Sequence, residues 1–159
     1  MARDPVTLTQ LLLSLRGRVE VLEQRGTVSR PVHAITDDSR AVTDGSLFVA
    51  VKGECTDGHG FVEQAIKAGA LAVIAQASVA SGSIPFVRVA DSRKALGFLG
   101  SRFHGDPSAR LKMIGVTGTN GKTTTTYLCK ALLEGIGRRV GLIGTVGYQI
   151  GQETLPAPH

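Results

Sequence analysis

A chain of 159 residues has room for one ordinary domain, or for one small domain and part of a second. Hydrophobic residues make up 42% and charged residues 19%, which excludes a disordered chain and supplies enough apolar material for a core. Lys and Arg outnumber Asp and Glu by 18 to 13, but no run of five or more basic residues and no aromatic interleaving goes with the excess. A nucleic-acid partner is therefore unsupported, and the surplus reads as a surface biased toward small anions such as nucleotides.

Cys55 and Cys129 lie far apart and outside any CxxC spacing, so neither a disulfide framework nor a zinc site is expected, in keeping with a reducing cytoplasm. The N-terminus lacks the apolar stretch and cleavage site of a signal peptide, and no segment is long enough to span a bilayer. The expectation is a cytoplasmic chain with no membrane partner.

In chain order, Leu8, Leu11, Leu12 and Leu15 recur at helical spacing, predicting a helix over 7–16 with Thr7 and Gln10 in capping-box positions. Such a helix faces a core more often than a membrane surface. A short partly β-branched stretch at 32–36 leads into Thr36-Asp37-Asp38-Ser39-Arg40, and Asp44-Gly45 signals a turn. A buried strand is expected over 47–51, a glycine-rich loop over 53–60, and a helix over 59–68 stopped by Gly69. Strands at 71–75 and 85–89 flank a polar loop. Asp91 then caps a helix in which Leu96, Leu99 and Phe103 face one way.

His104-Gly105-Asp106-Pro107-Ser108 is the best boundary, giving domains over 1–106 and 107–159. Beyond it come a strand over 111–116, a loop over 117–121, a helix over 122–134 with Leu128, Ala131 and Leu132 on one face, and a strand over 140–143. Strand, loop, helix and strand form a βαβ unit, so a parallel sheet is expected. The tail from Gly151 has no apolar pattern, and the second domain reads as truncated. The fold class is α/β throughout.

The chemistry is concentrated in Gly118-Thr119-Asn120-Gly121-Lys122-Thr123-Thr124. A polyphosphate needs several N–H donors converging on one anion, and a turn of backbone amides feeding a helix N-terminus supplies them. Gly118 and Gly121 permit the turn and a close phosphate approach. Lys122, the catalytic candidate, sets an ammonium against the β- and γ-phosphates of ATP, and the Thr123 hydroxyl is placed to ligate Mg²⁺. The spacing departs by one residue from the strict P-loop formula, because Val116 stands where the formula wants its first glycine. A dinucleotide-binding reading fails for lack of a G-x-G-x-x-G. A phosphotransferase would want a strand ending in Asp after the loop, where residues 140–145 offer glycine and threonine instead.

This loop is similar to the ATP loop of the Mur ligases, which share the one-residue departure. Asp38-Ser39-Arg40, Asp44 to Ala50, Gly53, Asp57-Gly58-His59, Ala65-Ile66 through Gly69-Ala70, and Gly141 to Tyr148 narrow the resemblance to the MurE type. The resemblance implies a small N-terminal α/β domain binding a uridine nucleotide, followed by the start of a P-loop-type, parallel-sheet ATP-binding domain. It implies addition of the third amino acid, meso-diaminopimelate or L-lysine, to UDP-N-acetylmuramoyl-L-alanyl-D-glutamate in peptidoglycan synthesis, through an acyl phosphate, by a monomer. It carries nucleotide contacts onto Asp37, Ser39, Glu54, Cys55 and Thr56. Ser39 matches directly; Asp37 stands where the family often has an apolar residue; and 54–56 contact the nucleotide through the backbone. The Thr-Thr substrate motif, modified lysine, further metal ligands and amino-acid-binding domain of the family are missing, which implies a fragment inactive alone. A non-catalytic uridine-nucleotide-binding module is the alternative. His59 reads as a packing or capping residue, and His33, His104 and His159 are isolated.

Overall fold

The computed structural model describes residues 5–27, 29–53, 56–151 and 153–155. The chain forms two units, Met1–Leu111 and Lys112–His159.

The first unit opens with β1 (Val6–Thr7) and α1 (Leu8–Leu13). The capping box forms as expected: the Gln10 amide donates to Thr7 Oγ1 at 3.3 Å, and the Thr7 amide donates to Gln10 Oε1 at 2.9 Å. The helix ends earlier than its leucine pattern suggests. The next residues continue as hydrogen-bonded turns, which still carry Leu15 into the core. β1 pairs antiparallel with β3 (Pro31–Val32).

A five-stranded sheet organises the rest, in the order β2 (Val21–Arg25), β7 (Phe86–Val89), β6 (Ala70–Ala75), β5 (Ser46–Ala50) and β4 (Ala34–Thr36). The β4, β5, β6 and β7 ladders are parallel, while β2 runs antiparallel to β7 at the edge. β2 is absent from the sequence expectation because Val-Leu-Glu-Gln-Arg neither alternates nor forms an apolar run, and four of its five residues are exposed. Glu23 sits between two guanidinium groups, 2.9 Å from Arg25 Nε and 3.4 Å from Arg88 Nε, and Arg25 also lies over the Phe86 ring.

The continuous apolar runs of β5 and β6 are explained by cover on both faces. Leu47, Val49, Ala72, Ile74, Val87 and Val89 point to one side. There they meet Leu8 and Leu11 of α1 and Ala95 and Leu99 of α3 (Ser92–Phe103). Phe48, Ala50, Val73, Ala75 and Phe86 point to the other, against Val62 and Ala65 of α2 (Val62–Lys67). Asp91 caps α3 by accepting from the Lys94 amide at 2.8 Å, as its position predicts. The helix expected over 59–68 divides into a 3₁₀ turn, Gly58–Phe61, and α2.

In the second unit the helix expected after the glycine loop is α4 (Lys122–Gly135). It is followed by β8 (Gly141–Gly144), β9 (Gly147–Ile150) and β10 (Glu153–Leu155), which form an antiparallel meander. The strand expected over 111–116 does not form, and Met113 and Ile114 are 68% and 63% exposed. A parallel ladder needs a neighbour, and among the described residues none pairs with this segment. The face of α4 carrying Leu128 and Leu132 is open, at 60% and 72% exposure, while Tyr127, Lys130 and Leu133 are half-buried. β10 lies in the tail where the sequence shows no apolar pattern; all three of its residues are exposed, which leaves little periodicity to read.

Candidate functional site

The first unit carries a cavity of about 590 Å³ lined mainly by polar residues and glycines, together with Val51 and Phe61. It lies at the carboxyl ends of the parallel strands, where connecting loops converge and open α/β sheets bind ligands. From the end of β4 come Asp37, Asp38, Ser39 and Arg40; from the segment after β5 come Val51, Gly53, Thr56 and Gly58; Phe61 and Gln64 approach from the α2 side and Arg93 from the first turn of α3.

The β4 end is held by local hydrogen bonds. Asp38 caps the 3₁₀ turn Ser39–Ala41 by accepting from the Arg40 amide at 2.9 Å, and Arg40 grips the same carboxylate through Nε and Nη2 at 2.9 and 2.8 Å. The Arg40 side chain and amide hold the Asp38 carboxyl down at about 2, and Asp38 in turn raises Arg40. Ser39 is buried, and its hydroxyl donates to Gln64 Oε1 at 3.2 Å.

The segment after β5 is a tight hairpin. Gly53 N–H donates to Thr56 O at 2.8 Å, Gly58 N–H donates to Val51 O at 3.0 Å, and Lys52 bridges Asp57. Gly58 is required for space: a Cβ there would lie 2.7 Å from Val51 O and 2.8 Å from Val51 N. Arg93 Nη2 ties the hairpin to α3 by donating to Lys52 O at 3.0 Å. Asp57 caps the following 3₁₀ turn through the His59 amide at 3.0 Å and also bonds His59 Nδ1; the amide bond first, then the ring, lowers its carboxyl.

Of the nucleotide-contact residues expected from sequence, the cavity brings Asp37, Ser39 and Thr56 together. Glu54 and Cys55 lie outside the described residues. Phe61, Gln64 and Arg93 were not singled out as contacts from the sequence. Their meeting around one cavity follows from the parallel register of β4, β5, β6 and β7, and no spacing motif announces them.

The second unit carries the phosphate-type loop. Gly118 has φ 150° and Gly121 φ 76°, both in the region favouring glycine. Gly121 is the N-cap of α4 and no side chain caps it. The amides of Lys122, Thr123 and Thr124 belong to the first turn, which leaves them without intrahelical partners. The first internal bond runs from Thr125 N–H to Gly121 O at 2.9 Å. Lys122 is exposed, and its ammonium folds back over the loop onto the carbonyls of Gly118 at 2.6 Å and Thr119 at 3.2 Å. Thr119, Asn120, Gly121, Thr123 and Thr124 are all exposed around it. The Thr123 and Thr124 hydroxyls stand on the first turn of α4, and Thr126 Oγ1 donates to Thr123 O at 2.8 Å. A helix start with open amides, a flexible ammonium beside it and adjacent hydroxyls is chemically suited to a polyphosphate. Among the described residues no group of three or more His, Cys, Asp or Glu side chains could hold a metal, and no helix is long and apolar enough to cross a membrane.

Residues 31–104 match the family model described as Mur ligase family, catalytic domain, and residues 116–158 match the Mur ligase middle domain. A UDP-N-acetylmuramoyl-L-alanyl-D-glutamate--2,6-diaminopimelate ligase from Alkaliphilus metalliredigens is 45% identical over 147 residues, which is 92% of this chain and 30% of that protein. A solved structure of a ligase of the same name superposes on 96% of this chain and 30% of its own, at 27% identity and a TM-score of 0.71. The MurF ligase of Thermotoga maritima in complex with ADP matches 68% of this chain and 24% of its own, at 32% identity and a TM-score of 0.52. The chain thus spans less than a third of the length of each of these proteins.

Proposed function

We propose that this chain, which belongs to the Mur ligase family, supplies the uridine-nucleotide site and the ATP loop of an ATP-dependent ligase adding the third amino acid to UDP-N-acetylmuramoyl-L-alanyl-D-glutamate. The amine named in the similar ligases is 2,6-diaminopimelate, and that diamino acid is the one assigned here. The domain roles are assigned at the boundary read from the sequence: residues 1–106 bind the UDP substrate and residues 107–159 begin the ATP-binding domain, while the compact units divide five residues later, after Leu111. The chain acts as a monomer in the cytoplasm, on small-molecule substrates, without nucleic acid or membrane.

The observation that carries the reading is the start of α4: a glycine in the left-handed region, uncapped first-turn amides, and Lys122 reaching back across the same loop. The amides of residues 118–124 would receive the β- and γ-phosphates. Lys122, released from two carbonyls, would transfer its ammonium to phosphate oxygens of higher charge. Thr123 suits Mg²⁺ as a single hydroxyl ligand, since nucleotide-bound Mg²⁺ takes most of its oxygens from phosphates and water; bound there, the ion would offset phosphoryl charge.

The chemical logic is that of carboxylate activation. The substrate carboxylate takes the γ-phosphoryl group and ADP leaves; the amine then attacks the acyl carbon, loses a proton, and phosphate departs with the C–O bond electrons. This chain's residues bind and orient: Asp37, Ser39 and Thr56 with the 54–56 backbone hold the uridine diphosphate, and Lys122 stabilises charge on the transferring group.

Calorimetry on the chain tests both halves. Uptake of UDP that weakens in Ser39→Ala, and uptake of ADP that weakens in Lys122→Ala, are expected. ADP binding unaffected by Lys122→Ala would defeat the ATP-loop assignment, while UDP binding alone would point to a non-catalytic nucleotide-binding module.

A further inference from the structure

We propose that His59 is a positioning residue for the nucleotide pocket, locking the hairpin wall after β5 to the carboxyl end of β6; the inference rests on the reading that this pocket takes the uridine nucleotide. The sequence reads His59, in the Asp57-Gly58-His59 run, as a packing or capping residue and gives it no part in ligand binding. Its side chain is only 14% exposed. Nε2 lies 3.1 Å from the Gln76 amide and 3.3 Å from the Ala77 amide, the first two residues beyond β6, while Nδ1 bonds Asp57 Oδ1.

Those partners define the ring's chemistry. Two backbone N–H groups aimed at Nε2 require a lone pair there, so the ring proton of the neutral imidazole stands on Nδ1 and is donated to the carboxylate. His59 thus acts as an acceptor for the sheet and a donor to the hairpin, joining two segments 17 residues apart.

The tie belongs to a closed circuit. The Gln76 side chain donates to Ala90 O at 3.3 Å and accepts from the buried Ser92 hydroxyl at 3.0 Å. The neighbouring Arg93 donates to Lys52 O, and Lys52 bridges back to Asp57. The hairpin is thus fastened at both strands, one through Arg93 and the other through His59, and between them they fix Gly53, Thr56 and Gly58 in the pocket wall. Without His59 the Arg93 tie and the hairpin's own backbone bonds remain, but the Asp57 strand loses its anchor to the end of β6, and the nucleotide must then order the wall on binding.

Two measurements on the 159-residue chain test this. Long-range nitrogen–proton NMR of histidine-labelled protein should show His59 with Nδ1 protonated and Nε2 bare; a ring protonated at Nε2, or exchanging freely between tautomers, overturns the lock. Calorimetric titration with UDP then compares variants. His59→Ala should weaken binding on the order of tenfold, the scale of one or two lost hydrogen bonds. His59→Gln, whose side-chain oxygen can still accept from Gln76 and Ala77, should recover most of it at an unchanged melting temperature. Equal weakening in both variants, or none in either, overturns the proposal. Wild-type chain that takes up no UDP would instead reject the pocket's assignment, leaving the NMR spectrum to decide the lock.

Discussion

Ser39 and Gln64, 25 residues apart, meet in the pocket wall, the Ser39 hydroxyl donating to the Gln64 side-chain oxygen at 3.2 Å. The bond joins the turn after β4 to α2, so one hydroxyl couples the two elements. Ser39→Ala should weaken UDP binding about five- to tenfold, from loss of a hydrogen bond worth about 1 kcal/mol. Calorimetry reads this, with circular dichroism confirming an intact fold; unchanged affinity would remove Ser39 from the contact set.

Lys122→Ala should reduce ADP affinity by roughly ten- to a hundredfold, the range of a charge-assisted contact worth about 1.5–3 kcal/mol. UDP binding should stay the same. Because Lys122 rests on loop carbonyls at an exposed position, the substitution should barely move the melting temperature.

Gly58→Ala places a methyl group against the Val51 backbone and should destabilise the first unit by about 1–3 kcal/mol, the usual scale for forced overpacking. Gly60→Ala is the internal control, since nothing lies within 4 Å of its added carbon. Urea unfolding of the two variants should separate them clearly; matching midpoints would contradict the hairpin geometry.

Leu99→Ala removes a fully buried side chain from between α3 and the sheet and should cost about 2–5 kcal/mol. Leu132→Ala, at 72% exposure, should stay within about 0.5 kcal/mol of the parent. Denaturant midpoints compared at constant slope provide the check.

The Asp38 carboxyl should titrate with a midpoint of about 2, against an ordinary value of 3.8. A lowered folded-state value means that the Asp38–Arg40 pair contributes stability above about pH 4, which fades as pH falls through about 2. Carbon-detected NMR of the carboxyl follows this directly. Arg40→Ala should bring the midpoint back toward the ordinary range, and a wild-type midpoint there would refute the pairing.

Much of the first unit was legible because burial on both sheet faces writes uninterrupted apolar runs, as in Leu47–Val51 and Leu71–Ala75, and because Thr7 and Asp91 announce helix starts by their own hydrogen-bonding chemistry. The glycine loop before Lys122 was legible for a related reason: left-handed backbone at Gly121 and an ammonium one residue later leave a local mark. β2 was not, since an edge strand facing solvent on most of its length carries no alternation. Nor were Phe61, Gln64 and Arg93 as pocket residues. They come from three elements whose proximity is created by strand register, a relation between distant segments that no local spacing encodes. The period puts Leu128 and Leu132 on one face of the helix, yet both are exposed; period locates an apolar face but does not say what lies opposite it.

The salt-bridged flank formed by Glu23, Arg25 and Arg88 bears on how these molecules behave when crowded. A stranger's strand seeking to extend the sheet at β2 would have to come alongside a carboxylate shared by two guanidinium groups and disturb a planar cation stacked on a ring. Charge held in this way on an edge strand disfavours fibre-like growth from that side of the sheet.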